Sequence, residues 1–319
     1  MLNSLTVRPQ NAITENPDII QLVDDWHASL SLYMQSGELS ERSQESYQRG
    51  FSKFLVWCEV QGIQLVDADT IRSWIAHLRE QEYKPNTINA WLAGVRAFNS
   101  WAIGARRLMI DPTEGVKSAK RTGTSKRHKR DVLTDNEVKR VLATCNASKP
   151  QGKRDKAILY LMAYTGVRTV EIQRARLEDL RTEGGRLVLY VQGKGQLESD
   201  DKVVIAADVA QDALYDWLTI RGDKPGPLFI SLSNRSNGQA QSGRALRWIV
   251  KTAYRQAGIT SKRKTAHSLR HTAITKAIQG GAKPIKVQSM ARHKSLDTTM
   301  IYYHEIDRLE DPAEDYIRY

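Results

Sequence analysis

Apolar side chains recur every three or four positions through the first hundred residues, the spacing of helices that bury one face. Tyr47, Phe51, Phe54, Leu55 and Cys58 form one such stripe, with Ser40 placed to cap its start and Gly62 to stop it. Ile71, Trp74, Ile75 and Leu78 form a second stripe. Asn86 can open a third helix, with Ile88, Trp91, Leu92, Val95 and Phe98 on one face. Residues 24–34 add a fourth, with weaker periodicity. Together these stripes predict a small all-helical domain.

The pattern changes past residue 130. Thr134 and Glu137 have the spacing of a capping box, with Leu133 and Val138 as a hydrophobic staple, so a helix is expected from Asp135 to about Cys145. Residues 157–164 are apolar on nearly every side and read as a buried helix. A turn at Thr165-Gly166 leads into another helix through Glu171. Residues 186–191 and 202–206 are rich in Val, Ile and Leu and read as strands, with a Gly-Lys-Gly turn region between them. From Gln211 onward the patterning is mainly helical. The expected fold class is therefore mainly α: an N-terminal helical domain, then an α+β domain with a small β-sheet or hairpin.

Charge sharpens this division. The 319-residue chain carries 48 Lys plus Arg against 36 Asp plus Glu, a formal net charge of +12. Such an excess attracts polyanions, nucleic acid foremost. It is concentrated in residues 117–130, Lys-Ser-Ala-Lys-Arg-Thr-Gly-Thr-Ser-Lys-Arg-His-Lys-Arg, which lack apolar periodicity. They read as an interdomain linker suited to lie along phosphates. The expected organisation is an N-terminal tail over 1–17, the helical domain over 18–116, the linker over 117–131, the second domain over 132–306 and a C-terminal tail over 307–319. The two cysteines, Cys58 and Cys145, form neither a disulfide framework nor a metal pair and are expected to be small core residues on helices. There is no apolar run of membrane-spanning length and no signal-peptide core in Met1 to Asn16, which points to the cytoplasm.

Five polar signatures follow one another in the second half. Arg168 sits in Thr-Gly-Val-Arg-Thr-Val-Glu, Lys194 in Gly-Lys-Gly, and His267 and Arg270 in His-Ser-Leu-Arg-His. His293 sits in Ala-Arg-His-Lys and Tyr302 in Thr-Thr-Met-Ile-Tyr-Tyr-His, nine residues further on. In order, context and spacing these resemble the tyrosine recombinases, or phage-integrase family, and the resemblance covers essentially the whole chain. The helical domain, with Ser-Gln-Glu-Ser-Tyr and Pro-Asn-Thr-Ile-Asn, is similar to that family's core-binding domain. The resemblance implies that Arg168 and Arg270 are the catalytic arginines, Lys194 the hairpin lysine, His267 and His293 the catalytic histidines, and Tyr302 the nucleophile. Glu171 matches an acidic residue that supports the site. Three departures stand out. The glycine that usually precedes the last histidine is Arg292, the hairpin after Lys194 is long and acidic, and Tyr303 adjoins Tyr302.

The chemistry suits these residue types. Cleaving a phosphodiester builds negative charge on the non-bridging oxygens, and guanidiniums offer planar, permanently charged donors for it. A lysine among cations can deliver the proton that the leaving 5′-oxygen needs. A tyrosine hydroxyl, with a pKa of about 10, attacks to give a 3′-phosphotyrosyl link, so rejoining needs no ATP. No cofactor and no metal are expected. His267 and His271 have a metal-binding spacing, but no third ligand accompanies them, and His271 and His304 read as structural or supporting residues.

Arg42, Gln44, Arg49, Asn89 and Arg96 lie off the apolar stripes and, with Lys126, Arg127, Lys129 and Arg130 of the linker, are candidates for DNA contact. The resemblance implies double-stranded DNA carrying an inverted-repeat core site as partner, a homotetramer on two duplexes, and room for an accessory protein. The short residues 1–17 are expected to leave no place for the arm-binding domain of larger integrases, so Xer-like, transposon or simple integrase types fit best. The acidic tail ending in Tyr316, Ile317 and Tyr319 is expected to dock in trans on a neighbouring subunit. A topoisomerase-like nicking-closing enzyme and a DNA-binding regulator without catalysis are the alternatives.

Overall fold

The computed structural model describes residues 19–63, 66–120, 131–192, 200–234 and 236–310, with 315 and 317. The chain divides into two compact units, Met1–Thr124 and Ser125–Tyr319.

The first unit is a bundle of α1 (Ile19–Gln35), α2 (Glu41–Val60), α3 (Ala68–Glu80) and α4 (Pro85–Gly104). Ser40 caps α2 by accepting a hydrogen bond from the Ser43 N–H at 3.2 Å. Asp67 and Thr70 form a capping box at α3. Helix α4 opens one residue earlier than Asn86, because Pro85 cannot donate an N–H and its fixed φ suits the first helical position. The core is aromatic: Phe51 and Phe98 stack at 4.0 Å between ring centroids, and Trp26 meets both edge-on. The helices α2 and α4 approach backbone to backbone through two glycines. A Cβ on Gly94 would lie 2.3 Å from the Tyr47 carbonyl oxygen, and one on Gly50 would lie 2.6 Å from that of Trp91.

Asn89 and Arg96 pin the chain after α4. The Asn89 side chain donates to the Ala119 carbonyl at 3.2 Å and accepts from the Ala119 N–H at 2.7 Å. Arg96 donates to the Val116 carbonyl at 2.6 Å and the Ser118 hydroxyl at 3.2 Å.

The second unit begins with α5 (Asp135–Leu142), opened by the Thr134–Glu137 capping box. The helix stops short of Cys145, which packs partly buried in the turn before α6 (Pro150–Thr165). That helix starts well before residue 157, since its first two turns are polar and carry no apolar stripe. Its middle is buried at Ala157, Ile158, Leu159, Leu161 and Met162. After α7 (Thr169–Arg174) and a 3-10 turn (Leu177–Asp179) come β1 (Leu180–Glu183), β2 (Arg186–Val191) and β3 (Asp201–Ile205), an antiparallel sheet in the order β1-β2-β3. Leu189 faces Val203 and Leu187 faces Ile205, and all four side chains are buried.

The strand β1 has no counterpart in the sequence pattern, because it is largely exposed and does not alternate. It exists by pairing with β2 across Gly184-Gly185, whose φ angles of 56° and 75° make a tight hairpin that other residues enter only with strain. The helices α8 (Asp208–Arg221), α9 (Gly243–Gln256), α10 (Ala266–Gln279), α11 (Pro284–Ala291) and α12 (Leu296–Glu310) complete the unit. The long apolar core gathers α5 to α10 and the sheet, while α10, α11 and α12 enclose a smaller cluster of Ile274, Ile278, Val287, Ala291 and Tyr302.

Burial pushes the Cys58 thiol up to about 12 and the Cys145 thiol up to about 11, so neither is a reactive thiolate at neutral pH. Among the described residues no helix is long and apolar enough to cross a membrane.

The glycine crossing yields a direct expectation. Gly94→Ala should destabilise the first unit by about 2 kcal/mol through overpacking against backbone that cannot step aside. Urea unfolding of the isolated variant and wild-type chains measures this, and an unchanged midpoint would show that the two helices separate freely.

Candidate active site

Four turns of the second unit converge on one charged cluster. Gly166 ends α6 in the left-handed conformation, with φ 63°, and turns the chain so that Arg168 becomes the N-cap of α7. Glu171, three residues on, accepts the Arg168 backbone N–H at 2.6 Å and a side-chain N–H of Arg168 at 2.6 Å. The second Arg168 nitrogen donates to the carbonyls of Ala291 at 3.1 Å and Arg292 at 2.8 Å, at the C-terminal end of α11. Arg270, one turn into α10 and 2% exposed, donates to the Gly166 carbonyl at 2.7 Å and shares the Ala291 carbonyl. The carbonyl end of a helix carries partial negative charge, so α11 presents a surface suited to guanidiniums.

The cluster is cationic but held together by Glu171, which is 1% exposed. Burial alone would raise its pKa, but ion pairs with Arg292 and then Arg168 outweigh that and hold the carboxyl below its ordinary value. For Arg270, burial and then the neighbouring Arg168 and Arg292 push the pKa down to about 9, which leaves it protonated at neutral pH.

Tyr302, on α12 and 4% exposed, shares a hydrogen bond with Nδ1 of His271. It lies close enough to Arg270 to raise that arginine's pKa slightly against the larger downward effects of burial and the neighbouring arginines. The His271 ring meets that of His267 edge-on at 4.8 Å, and His267 is exposed at the mouth of the site. His293 lies nearly parallel to the Tyr302 ring at 6.2 Å, and its Nδ1 is 2.9 Å from the Thr299 hydroxyl. Tyr303 points elsewhere, donating its hydroxyl to the Ala282 carbonyl. Arg168, Glu171, His267, Arg270, His293 and Tyr302 thus belong to one neighbourhood. Lys194, and Lys126, Arg127, Lys129 and Arg130, lie outside the described residues. Among the described residues no group of three His, Cys, Asp or Glu side chains is arranged to hold a metal.

In the first unit Arg42 and Arg49 are exposed on α2, and Gln44 is half-buried, 3.4 Å from the Ser31 hydroxyl. The side chains of Asn89 and Arg96 are those that pin residues 116–119.

The phage integrase family model matches residues 131–308, more than half the chain, and the N-terminal SAM-like domain model of phage integrases matches residues 28–106. The chain belongs to the phage integrase family. It is a site-specific tyrosine recombinase, an enzyme of DNA strand exchange. The tyrosine recombinase XerD of Bifidobacterium longum is 31% identical over 81% of this chain and 85% of its own. XerC of Corynebacterium glutamicum is 31% identical over 77% of this chain and 76% of its own. Among solved structures, the XerH recombinase in its post-cleavage complex with a palindromic difH substrate superposes with a TM-score of 0.71. At 19% identity it covers 99% of this chain and 92% of that one, and it supports the mainly helical fold.

Three features of this recombinase were not read from its sequence. The sequence gives His271 only a structural or supporting place, and no spacing rule announces its bond to Tyr302 because 31 residues separate them. In the sequence Arg292 stands out only as a missing glycine, yet its guanidinium is in the cluster. The third is on α9, where Arg244, Arg247, Lys251 and Arg255 are exposed at spacings of three and four around Trp248, itself 62% exposed. That stripe was available in the sequence as an amphipathic basic helix.

Glu171 makes the site sensitive to acid. Its folded pKa lies below the ordinary 4.5, so its stabilising charge is fully present above about pH 4.5 and is lost as pH falls through the depressed value. Glu171→Gln should therefore lower stability at pH 7 and flatten the acid side of the stability–pH curve. Melting temperatures of wild type and variant from pH 3 to 7 test this; parallel curves would count against the ion pairs.

Proposed function

We propose that this recombinase cleaves DNA through Tyr302, with Arg168 and Arg270 holding the scissile phosphate. What supports this reading is the arrangement of the two guanidiniums on the Ala291 carbonyl, with Tyr302 in electrostatic reach of Arg270. Each arginine keeps N–H groups that these carbonyls and Glu171 do not use, and those suit phosphate oxygens. His267 and His293 add hydrogen bonds to the same oxygens. Tyr302 attacks phosphorus, the bond to the 5′-oxygen breaks, and a 3′-phosphotyrosyl link forms with a free 5′-hydroxyl. His271 takes the phenol proton, and Lys194 delivers one to the leaving oxygen. Glu171 supports Arg168. The reverse attack by a 5′-hydroxyl rejoins strands, and no cofactor enters the balance.

The helical unit over 18–116 is proposed as the core-binding domain and 132–306 as the catalytic domain, with the basic linker 117–131 along the duplex between them. Arg42, Gln44 and Arg49 are the proposed contacts in the first unit. Asn89 and Arg96 would have to exchange their backbone bonds to join them. The α9 stripe adds Arg244, Arg247, Lys251 and Arg255, with Trp248 packing on sugar or base. The partner would be double-stranded DNA with an inverted-repeat core site. The assembly would be a homotetramer on two duplexes, with residues 307–319 docking in trans. A lambda integrase tetramer bound to a Holliday junction is a solved relative in fold.

A nicked suicide substrate tests the chemistry. Tyr302→Phe should bind DNA normally yet form no covalent adduct, Tyr303→Phe should still form one, and wild type should form it in EDTA without nucleotide. An adduct with Tyr302→Phe, or one that needs Mg²⁺, would overturn the reading.

The basic stripe has its own test. Each phosphate contact adds about −0.9 to the slope of log affinity against log salt. Replacing Arg247 and Lys251 with Ser should make that slope shallower by about 2. An unchanged slope would place α9 away from DNA.

A further inference from the structure

Two guanidiniums meet at the Glu171 carboxylate, and they use it differently. Arg292 grips Glu171 with a two-pronged fork, Nε to Oε1 at 3.1 Å and Nη2 to Oε2 at 2.8 Å. Its remaining nitrogen donates to the Met290 carbonyl at 2.6 Å, and its side chain is only 4% exposed. Arg168, by contrast, reaches Glu171 through one side-chain nitrogen and remains 26% exposed. The fork is the preferred geometry between a guanidinium and a carboxylate. Here the buried arginine holds it, and the more exposed one does not.

Arg292 achieves this from a backbone conformation that disfavours it. It caps α11 at φ 52° and ψ 48°, where glycine carries no steric cost. An arginine held there against that cost, with its donors turned inward, is not a phosphate ligand. The geometry points to Arg292 as a positioning residue that occupies the fork of Glu171 and so keeps Arg168 turned toward the phosphate. Removing it would free Glu171 to take Arg168 in the fork, drawing guanidinium donors from the reacting oxygens. It would also lower the cluster's net charge by one. This inference rests on the proposed role of Arg168.

Arg292→Gly separates this role from that of a turn, because glycine fits the backbone better than arginine does. The measurement is single-turnover cleavage of a nicked suicide substrate at saturating protein, beside half-site affinity and thermal melting. Arg292→Gly should cleave roughly tenfold or more slowly, on the scale of a displaced transition-state donor, with affinity unchanged within about twofold. Arg292→Lys, which keeps the charge but not the fork, should fall between. Adding Glu171→Gln to Arg292→Gly should restore part of the rate, since a neutral amide has little hold on Arg168. Wild-type cleavage by Arg292→Gly would overturn the inference, as would a folded double variant no faster than Arg292→Gly. Arg168→Ala distinguishes the two levels. If it is dead while Arg292→Gly is normal, only this inference falls; if Arg168→Ala cleaves normally, the proposed role of Arg168 falls and takes the inference with it.

Discussion

Like charges gathered in a poorly solvated site repel, and the second unit is organised around answering that repulsion. Arg168 and Arg292 add to burial in pushing the Arg270 pKa down, and one fully buried carboxylate stands in the cluster. Glu171 does not act alone. The carbonyls of Gly166, Met290, Ala291 and Arg292 accept further donors, so two helix ends add main-chain dipoles to the neutralisation. That dependence fixes where α6, α7, α10 and α11 must end relative to one another, and the small cluster around Ile274, Val287 and Tyr302 packs behind it.

Much of the fold was legible because its helices bury one face each. The stripe through Phe51 and Phe54 and the cap at Ser40 were plain in the chain, as was the Thr134–Glu137 box. What escaped has physical causes. The strand β1 shows no alternation because it is largely exposed and borrows its order from β2. The first turns of α6 are polar, and the early end of α5 is a local turn with no periodic signature.

The site divides the same way. Arg168, His267, Arg270, His293 and Tyr302 each carry a local sequence context, and the structure brings them into one neighbourhood. The bond from Tyr302 to His271 and the grip of Arg292 on Glu171 join residues 31 and 121 positions apart, and nothing local encodes them. Asn89 and Arg96 show the reverse difficulty. Polar residues off an apolar stripe look available for a ligand, yet in this structure they clasp the chain that leaves α4.

The placement of Tyr302 bears on genome safety. Here the phenol oxygen lies inside the protein, tied to an imidazole, with 4% of the residue open to solvent. A phosphodiester brushing the surface meets the part-exposed Arg168 but not the buried phenol of Tyr302. If Tyr302 is the nucleophile proposed above, its hydroxyl has to leave the His271 bond before it can reach a phosphate, and the cost of breaking that bond guards DNA the protein merely touches.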